Sequence, residues 1–300
     1  MVSASSDLVR RTPLVALPGF EGFSLKLESL QLTGTFKLRG ACLKLDSLSQ
    51  EERGRGVVAA SAGNHGLGVA AAARVLGVRV EIFVPQATAA IKQRGIAARG
   101  AEIVVVGAGY QEAEDAALAR AAATGKVFVS PFDDPTVMRG NGGLLAEEIL
   151  EQAPETRRIL CPIGGGGLVA GIALAMAGRG VEVVGVQPEV NCAMHDSLRL
   201  GRALVRYDGG ETLAEGCEGA VAESTYAICR DHGVTVSLVS EASIARAVAR
   251  AYRLGFVVEP SAAVPLAAVF DGVIAPAGPT AIVITGGNVD DERLDALLRA

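Results

Sequence analysis

Short apolar runs rich in β-branched residues alternate along this chain with Ala-rich segments whose apolar positions have helical spacing. The runs predict buried strands at residues 57–60, 78–84, 102–106, 126–130, 158–163, 181–186, 234–239 and 281–285. The intervening segments predict helices at residues 62–77, 88–100, 110–125, 167–178, 241–254 and 290–299. Because the strands are apolar nearly throughout and helices connect them, the pattern predicts an α/β fold with parallel sheets covered on both faces.

Composition narrows the class of function. The chain has 300 residues, a formal net charge of −5, 4% aromatic residues and no Trp. Without a cluster of Lys and Arg, it has no electrostatic footprint for nucleic acid or an anionic membrane, so we expect a small-molecule partner. No apolar run approaches the length of a membrane span, and the first residues lack the apolar core of a signal peptide. We therefore expect a cytoplasmic protein.

Lysine and cysteine usage adds two expectations. Lysine is scarce, with five residues against 23 arginines (28 − 5), so each lysine is a better candidate for chemistry that arginine cannot perform. The five lysines are Lys26, Lys37, Lys44, Lys92 and Lys126. The cysteines are odd in number and show no CxxC spacing, which predicts reduced, buried thiols and no metal site.

Lys37 stands between Phe36 and Leu38, just after a Thr-Gly-Thr turn. A lysine flanked by apolar side chains can be desolvated, which makes its amine available as a nucleophile or base. The alternative is a surface lysine at the start of a helix.

The segment SAGNHG at residues 61–66 follows a predicted strand and opens an Ala-rich helix. Backbone N–H groups at such a helix N-terminus, together with the Ser61 hydroxyl and the Asn64 amide, favour a bound carboxylate or phosphate. His65 is an acid or base here, or a neutral residue that caps the helix, and we favour the second interpretation.

A run of four glycines lies between the strand at 158–163 and the next helix. The run consists of Gly164, Gly165, Gly166 and Gly167, and Leu168 follows it. Backbone amides in such a loop can surround an anion closely, which predicts a phosphate cradle. A GxGxxA pattern ends at Ala170, with Glu182 and Glu189 further on, so a dinucleotide site is an alternative. A second alternative is a glycine-rich turn that binds no ligand.

Thr285 ends the apolar strand at 281–285, and Gly286, Gly287 and Asn288 follow. A hydroxyl fixed at this point, with glycines that leave space beside it, suits a hydrogen bond to a ring heteroatom of a cofactor. Taken alone, the segment is a turn.

Together these segments resemble the fold-type II pyridoxal-phosphate enzymes, in the branch of threonine and serine dehydratases and serine racemase. The matching segments occur in the family's order, at residues 11–14, 26–41, 61–66, 131–135, 164–168, 212–216, 257–263 and 285–288. The resemblance implies two three-layer parallel-sheet domains of the tryptophan synthase β-subunit type. It places residues 1–54 and 134–300 in a large cofactor-binding domain and residues 55–133 in a small domain. It also implies a homodimer.

The resemblance implies a role for each cofactor-binding residue. Lys37 would bind the aldehyde of pyridoxal phosphate and act as the base at the substrate Cα, and Phe36 would pack against the ring. Residues 164–168 would hold the phosphate, and Asn64 would hydrogen-bond the ring hydroxyl. The Thr285 hydroxyl would meet the pyridine nitrogen. Because a neutral partner leaves the ring a weaker electron sink than a carboxylate would, β-elimination is favoured.

The resemblance also implies the substrate and its site. Ser61, Gly63, Asn64 and His65 would receive the substrate carboxylate. The expected reaction converts L-threonine or L-serine into a 2-oxo acid and ammonia. Serine racemase carries a second serine where this chain has Ala62, which favours elimination, although a racemase stays open.

Some positions depart from the family pattern and leave alternatives open. Where the family continues with a segment resembling AGQGT, this chain has Arg139 and Asn141, so the substrate side chain could differ and hydroxyaspartate is a candidate. The branch often binds a divalent cation near residues 212–216, where Glu211 or Glu215 would serve. An NAD-dependent oxidoreductase is an alternative function, but it accounts only for the glycine loop. A catalytically silent scaffold protein is another, and the intact Lys37 argues against it.

Overall fold

The computed structural model describes residues 6–299. The strands are β1 Leu14–Ala16, β2 Phe23–Leu27, β3 Val57–Ala60, β4 Val80–Val84, β5 Glu102–Val105, β6 Val127–Phe128, β7 Arg158–Pro162, β8 Glu182–Pro188, β9 Thr235–Val239 and β10 Thr280–Ile284. The helices are α1 Lys37–Asp46, α2 Gln50–Arg55, α3 Asn64–Leu76, α4 Ala90–Ala97, α5 Tyr110–Thr124, α6 Pro135–Met138, α7 Leu144–Gln152, α8 Gly167–Met176, α9 Ala193–Leu200, α10 Glu223–Asp231, α11 Glu241–Arg253, α12 Pro260–Phe270 and α13 Asp291–Arg299.

Every strand and helix that the apolar pattern predicted is present, with ends shifted by a few residues. The α/β class with parallel sheets is therefore confirmed. Among the described residues, no helix has the length and apolar character needed to cross a membrane.

The contacts divide the chain into two compact units. The small unit contains the described residues up to Arg10 and Gln31–Asn141, and the large unit contains Arg11–Leu30 and residues 142–299. Residues 6–10, 31–54 and 134–141 thus group with the small unit, whereas the sequence prediction assigned them to the large domain. The reason is that α1 packs against α3 and α6, all within the small unit.

The small unit is built on a four-stranded parallel sheet in the order β5-β4-β3-β6. Side chains of β3 alternate between two separate cores. Val57 and Ala59 lie in the core that includes α1 and α3, whereas Val58 and Ala60 pack with α5 on the opposite face. Because both faces of the sheet bury apolar side chains against helices, this unit has three layers.

The large unit is built on a six-stranded sheet in the order β1-β2-β10-β7-β8-β9. β1 pairs antiparallel with β2, and the other neighbours are parallel. Helix α12 packs against β7, β8, β9 and β10 and is buried along most of its length. The apolar pattern did not predict β1 or β2. They are short, and a lysine in β2 interrupts the apolar run.

That lysine, Lys26, is fully buried. Its ammonium donates hydrogen bonds to the backbone oxygen of Thr12 at 2.7 Å and to Gln152 Oε1 at 2.8 Å, and it forms an ion pair with Glu148. A buried ammonium is tolerated because these oxygens replace water around it. Lys26 therefore has a structural role in the large unit.

The strand order brings the candidate residues of the large unit together at the carboxyl ends of neighbouring strands. β7 and β10 are parallel neighbours. The glycine loop follows the carboxyl end of β7, and Thr285 follows the carboxyl end of β10. Carboxyl ends of parallel strands form the ligand-binding edge of such sheets.

Candidate active site

Lys37 is the first residue of α1 and is half-buried. Its Nζ donates a hydrogen bond to the backbone oxygen of Pro131 at 2.8 Å and lies 5.1 Å from the centre of the Phe36 ring. A Cβ at Gly68 of α3 would come within 3.2 Å of the Lys37 carbonyl oxygen. The glycine thus lets α3 approach the start of α1 closely, which fixes the backbone that carries the amine.

The SAGNHG segment forms the turn from β3 into α3. Ser61 is buried, and its Oγ accepts a hydrogen bond from the N–H of Gly63 at 3.2 Å. Asn64 begins α3, so the N–H groups of the first turn have no acceptor within the helix. These donors and the positive end of the helix dipole suit an anion.

His65 is buried, and its Nε2 lies 2.8 Å from the backbone oxygen of Val129. Since a carbonyl oxygen only accepts, this geometry assigns the proton to Nε2. Burial, followed by the nearby positive charge of Lys37, lowers the pKa of His65 to about 3. The imidazole is therefore neutral at physiological pH. Its Nδ1 has no hydrogen-bond partner among the residues that the structure describes.

In the large unit, the loop from Gly164 to Leu168 leads from β7 into the N-terminus of α8. Gly166 has φ +92°, and a Cβ there would lie 2.8 Å from the side chain of Thr225. A Cβ at Gly164 would collide with the backbone oxygen of Gly216. Glycine is therefore required at both positions, and the N–H groups of the first turn of α8 are oriented for an anion.

Two residues that shape this loop were not singled out from the sequence. The Thr225 hydroxyl, fully buried on α10, donates to the backbone oxygen of Gly165 at 2.9 Å. Ser261 on α12 accepts a hydrogen bond from the N–H of Gly216 at 2.8 Å. The segment containing Ser261 was part of the family resemblance, whereas Thr225 lies in a stretch without a motif.

Thr285 follows β10 directly and is buried. The N–H of Glu259 donates to the backbone oxygen of Gly286 at 3.1 Å, which fixes the turn after this threonine. A Cβ at Gly287 would come within 3.0 Å of the Val257 oxygen, so the chain bends back tightly here.

The two departures from the family pattern behave differently. Arg139 is exposed, in a π-helical turn that spans Arg139–Gly143. Asn141 is 2% exposed, and its Oδ1 accepts a hydrogen bond from the N–H of Gly40 at 2.8 Å. The amide that replaces the family's glutamine therefore holds α1 three residues after Lys37. In the candidate cation segment, the carboxylate of Glu215 forms an ion pair with Arg293.

Each unit gathers part of the predicted site. The small unit brings together Phe36, Lys37 and residues 61–65, and the large unit holds the glycine loop and Thr285 on neighbouring strands. These groups fit pyridoxal phosphate chemically. The glycine loop places backbone N–H groups at the N-terminus of α8, where they suit a phosphate, and the amine of Lys37 is the group that reacts with an aldehyde.

Comparisons with known proteins agree with this chemistry. The family model for pyridoxal-phosphate dependent enzymes matches residues 5–286. The L-threonine ammonia-lyase of Thermotoga maritima is 40% identical over 278 residues, which cover 91% of this chain and 69% of that protein.

Solved structures are similar along almost the whole chain. Threonine deaminase isoform 2 from Solanum lycopersicum, in its processed form, has a TM-score of 0.91 and 31% identity, covering 98% of this chain and 89% of its own. Maize serine racemase has a TM-score of 0.90 and 28% identity, covering 98% and 93%. The chain therefore belongs to the family of pyridoxal-phosphate dependent enzymes, with the type II fold.

Proposed function

We propose that this chain is a pyridoxal-phosphate-dependent ammonia-lyase that converts L-threonine, and also L-serine, into a 2-oxo acid and ammonia. The observation that carries the proposal is the placement of Lys37. Its amine lies at the start of α1, and its charge acts on His65 in the first turn of α3, next to the predicted carboxylate site. The similarity to threonine ammonia-lyases over most of the chain supports the same reaction.

When bound, pyridoxal phosphate supplies an electron-withdrawing ring that stabilises negative charge at the substrate Cα. Residues 164–168 would hold its phosphate, Asn64 its ring hydroxyl, and Phe36 one face of the ring. Gly164 and Gly166 support this role, because a Cβ at either position would collide with Gly216 or Thr225 and displace the loop whose backbone N–H groups would bind the phosphate.

Lys37 acts as the base in the proposal. Its Nζ accepts the proton from the substrate Cα. The β-hydroxyl takes up a proton as its bond to Cβ breaks and leaves as water, and Lys37 later releases the proton that it accepted. The Pro131 carbonyl, which accepts a hydrogen bond from Nζ at 2.8 Å, orients the amine. The enamine product leaves the site, and water hydrolyses it to the 2-oxo acid and ammonia.

The turn at residues 61–65 orients the substrate. The Ser61 hydroxyl, the Asn64 amide and backbone N–H groups would bind the carboxylate, so that the Cα–H bond faces Lys37. His65 takes part through its backbone N–H, because its imidazole is buried and bonded to Val129.

The buried Thr285 hydroxyl would face the pyridine nitrogen. A neutral hydroxyl does not stabilise a protonated ring as a carboxylate would, so charge builds up less on the ring and loss of the β-hydroxyl is favoured.

Release of 2-oxo acid from a panel of β-hydroxy amino acids tests the function. L-threonine should give 2-oxobutanoate and L-serine pyruvate, and 3-hydroxyaspartate tests the alternative raised by the exposed Arg139. The Lys37→Ala variant should lose activity by several orders of magnitude. Lys92→Ala is the matched control, because Lys92 is a half-buried lysine of the same unit. Activity retained by Lys37→Ala would exclude the role as base.

Serine racemase is the second candidate, because the maize enzyme is similar over 98% of the chain. Racemisation needs an acid on the second face of the cofactor, and Ala62 has no group that can donate a proton. Chiral analysis of L-serine after incubation should find pyruvate without D-serine. Appreciable D-serine would favour the racemase.

The proposal includes a homodimer in the cytoplasm. The homodimer rests on the family resemblance, and light scattering of the purified holoenzyme should give twice the chain mass. Cytoplasmic location is supported by the five cysteines, which are buried and form no disulfide within the described part of the chain. Fractionation of the source cells tests it.

A further inference from the structure

A group of metal-binding side chain types lies at the start of α9 in the large unit. Cys192 immediately precedes the helix, and His195 and Asp196 lie in its first turn. Their sulfur, Nδ1 and carboxylate oxygens all lie within 4.8 Å of one another. The cysteine spacing alone predicted no metal site, because these residues do not form a CxxC motif.

Two of the three separations in this cluster are close to the edges of a tetrahedral zinc site. Cys192 Sγ lies 3.7 Å from Asp196 Oδ2, and His195 Nδ1 lies 3.3 Å from Asp196 Oδ1. Zinc binds sulfur at about 2.3 Å and nitrogen or oxygen at about 2.0–2.1 Å, so the edges of its tetrahedron measure roughly 3.3–3.8 Å. The sulfur and the imidazole nitrogen approach different oxygens of the carboxylate, so rotation of these side chains, whose ligand atoms lie within 4.8 Å of one another, would bring the three ligands onto one ion.

A second observation concerns Tyr207, which reaches the cluster from the loop that follows α9. Its hydroxyl donates to Asp196 Oδ2 at 3.3 Å and lies 3.3 Å from Cys192 Sγ. Residues that hydrogen-bond to a ligating carboxylate fix its orientation and strengthen metal binding.

An ion can reach the cluster. The side chains of His195 and Asp196 are 35% and 25% exposed. Arg199 competes for the same carboxylate, with Nη2 at 3.4 Å from Asp196 Oδ1, but its side chain is 63% exposed and can turn to solvent. The negative charges of the Cys192 thiolate and the Asp196 carboxylate together neutralise the two positive charges of a divalent cation.

We propose that Cys192, His195 and Asp196 bind a zinc-class divalent cation, with Tyr207 positioning the carboxylate and water in the fourth coordination position. The ion forms bonds to sulfur, nitrogen and oxygen, and the thiol proton passes to solvent. These ligands differ from Glu211 and Glu215, the residues for which the sequence resemblance suggested a cation.

The test is a titration of chelator-treated holoenzyme with Co²⁺, followed by displacement with Zn²⁺. We expect one equivalent of Co²⁺ to bind, with the near-ultraviolet absorption of a cobalt–thiolate bond and the intense visible bands of tetrahedral cobalt. Zn²⁺ should abolish both. The absence of saturable binding of one equivalent would overturn the proposal.

Variants assign the ligands. Cys192→Ser should remove the thiolate band, whereas Cys42→Ala, a buried cysteine of the small unit, should keep it. His195→Gln and Tyr207→Phe should each weaken Co²⁺ binding about tenfold or more. If Cys192→Ser fails to fold, the partly exposed His195 carries the test. A thiolate band that persists in Cys192→Ser, or binding unchanged in His195→Gln, would contradict the assignment.

Discussion

The buried amide of Asn141 accepts a hydrogen bond from the backbone N–H of Gly40, with an N···O distance of 2.8 Å. Gly40 lies in the first turn of α1, whose first residue is Lys37. The two segments are so close that a Cβ at Gly40 would lie 2.6 Å from Asn141 Oδ1. Asn141 therefore connects the π-helical turn to the helix that carries the proposed base.

Replacing Asn141 with Ala should destabilise the small unit. The buried N–H of Gly40 would then lack the Asn141 acceptor, which lowers the free energy of unfolding by about 1–3 kcal/mol. Denaturant unfolding of the holoenzyme measures the loss. Gln111→Ala, an exposed amide on α5 of the same unit, is the control and should change stability by less than about 0.5 kcal/mol. Equal effects in both variants would show that the buried hydrogen bond contributes nothing.

Removing the hydroxyl of Thr225 should weaken cofactor binding. Thr225→Val keeps the shape of the side chain but removes the hydrogen bond to the Gly165 carbonyl. The glycine loop thereby loses a hydrogen bond that contributes about 1 kcal/mol to the stability of its conformation. We expect the Kd for pyridoxal phosphate to rise about fivefold to tenfold in an absorbance titration. Ser224→Ala, the exposed neighbour on α10, should leave the Kd unchanged. A Kd for Thr225→Val equal to the wild-type value would contradict this role.

Stability should fall in acid because of His65. The folded-state pKa is about 3, below the ordinary value of 6.5, so the unfolded chain binds the proton first as pH falls. The stability associated with neutral His65 is complete above pH 6.5 and is lost as pH falls towards 3. The contribution changes by up to about 1.4 kcal/mol per pH unit.

The His65→Gln variant isolates this contribution, because other groups titrate equally in both proteins. Unfolding free energies measured from pH 7.5 down to about pH 4 should show the difference between wild type and variant changing only below pH 6.5. A constant difference across this range would mean that His65 titrates normally in the folded protein.

Glu81 should stabilise the small unit through two cations. Hydrogen bonds from Arg120 at 2.8 and 3.0 Å, together with Lys126, hold the pKa of this buried carboxyl at about 2, although burial opposes them. Its stabilisation is complete above the ordinary pKa of 4.5 and is lost as pH falls towards 2. Glu81→Gln should therefore lower the unfolding free energy at pH 7 by about 2–3 kcal/mol.

The control for Glu81 is Glu102→Gln, an exposed carboxyl on the neighbouring strand β5. It should leave stability at pH 7 almost unchanged. The effect of Glu81→Gln should also shrink as pH falls below 4.5. An effect that is independent of pH would indicate lost packing in place of lost charge pairing.

The sequence by itself determined the order of strands and helices and the positions of the motifs along it. Most of the parallel strands are short apolar runs between Ala-rich helical segments that end in glycine, which made them recognisable, and the boundaries of β3 at Val57–Ala60 agree with the prediction residue for residue. Glycine runs after such strands also identified the loop before α8, because few other residues tolerate that backbone. β1 and β2 escaped prediction because both are short, and because β2 becomes a buried strand only by pairing with β10, which is distant along the chain.

Only the tertiary structure decided which side chains meet. Lys26 and Lys37 each lie between two apolar residues. Lys26 is enclosed by Thr12, Glu148 and Gln152, whereas the amine of the half-buried Lys37 bonds to the carbonyl of Pro131. Thr225 lies 60 residues from the carbonyl that it binds, and no local pattern marks it. Hydrophobic periodicity reports how each segment is buried, but hydrogen-bond partners distant along the chain are set by the packing of whole elements.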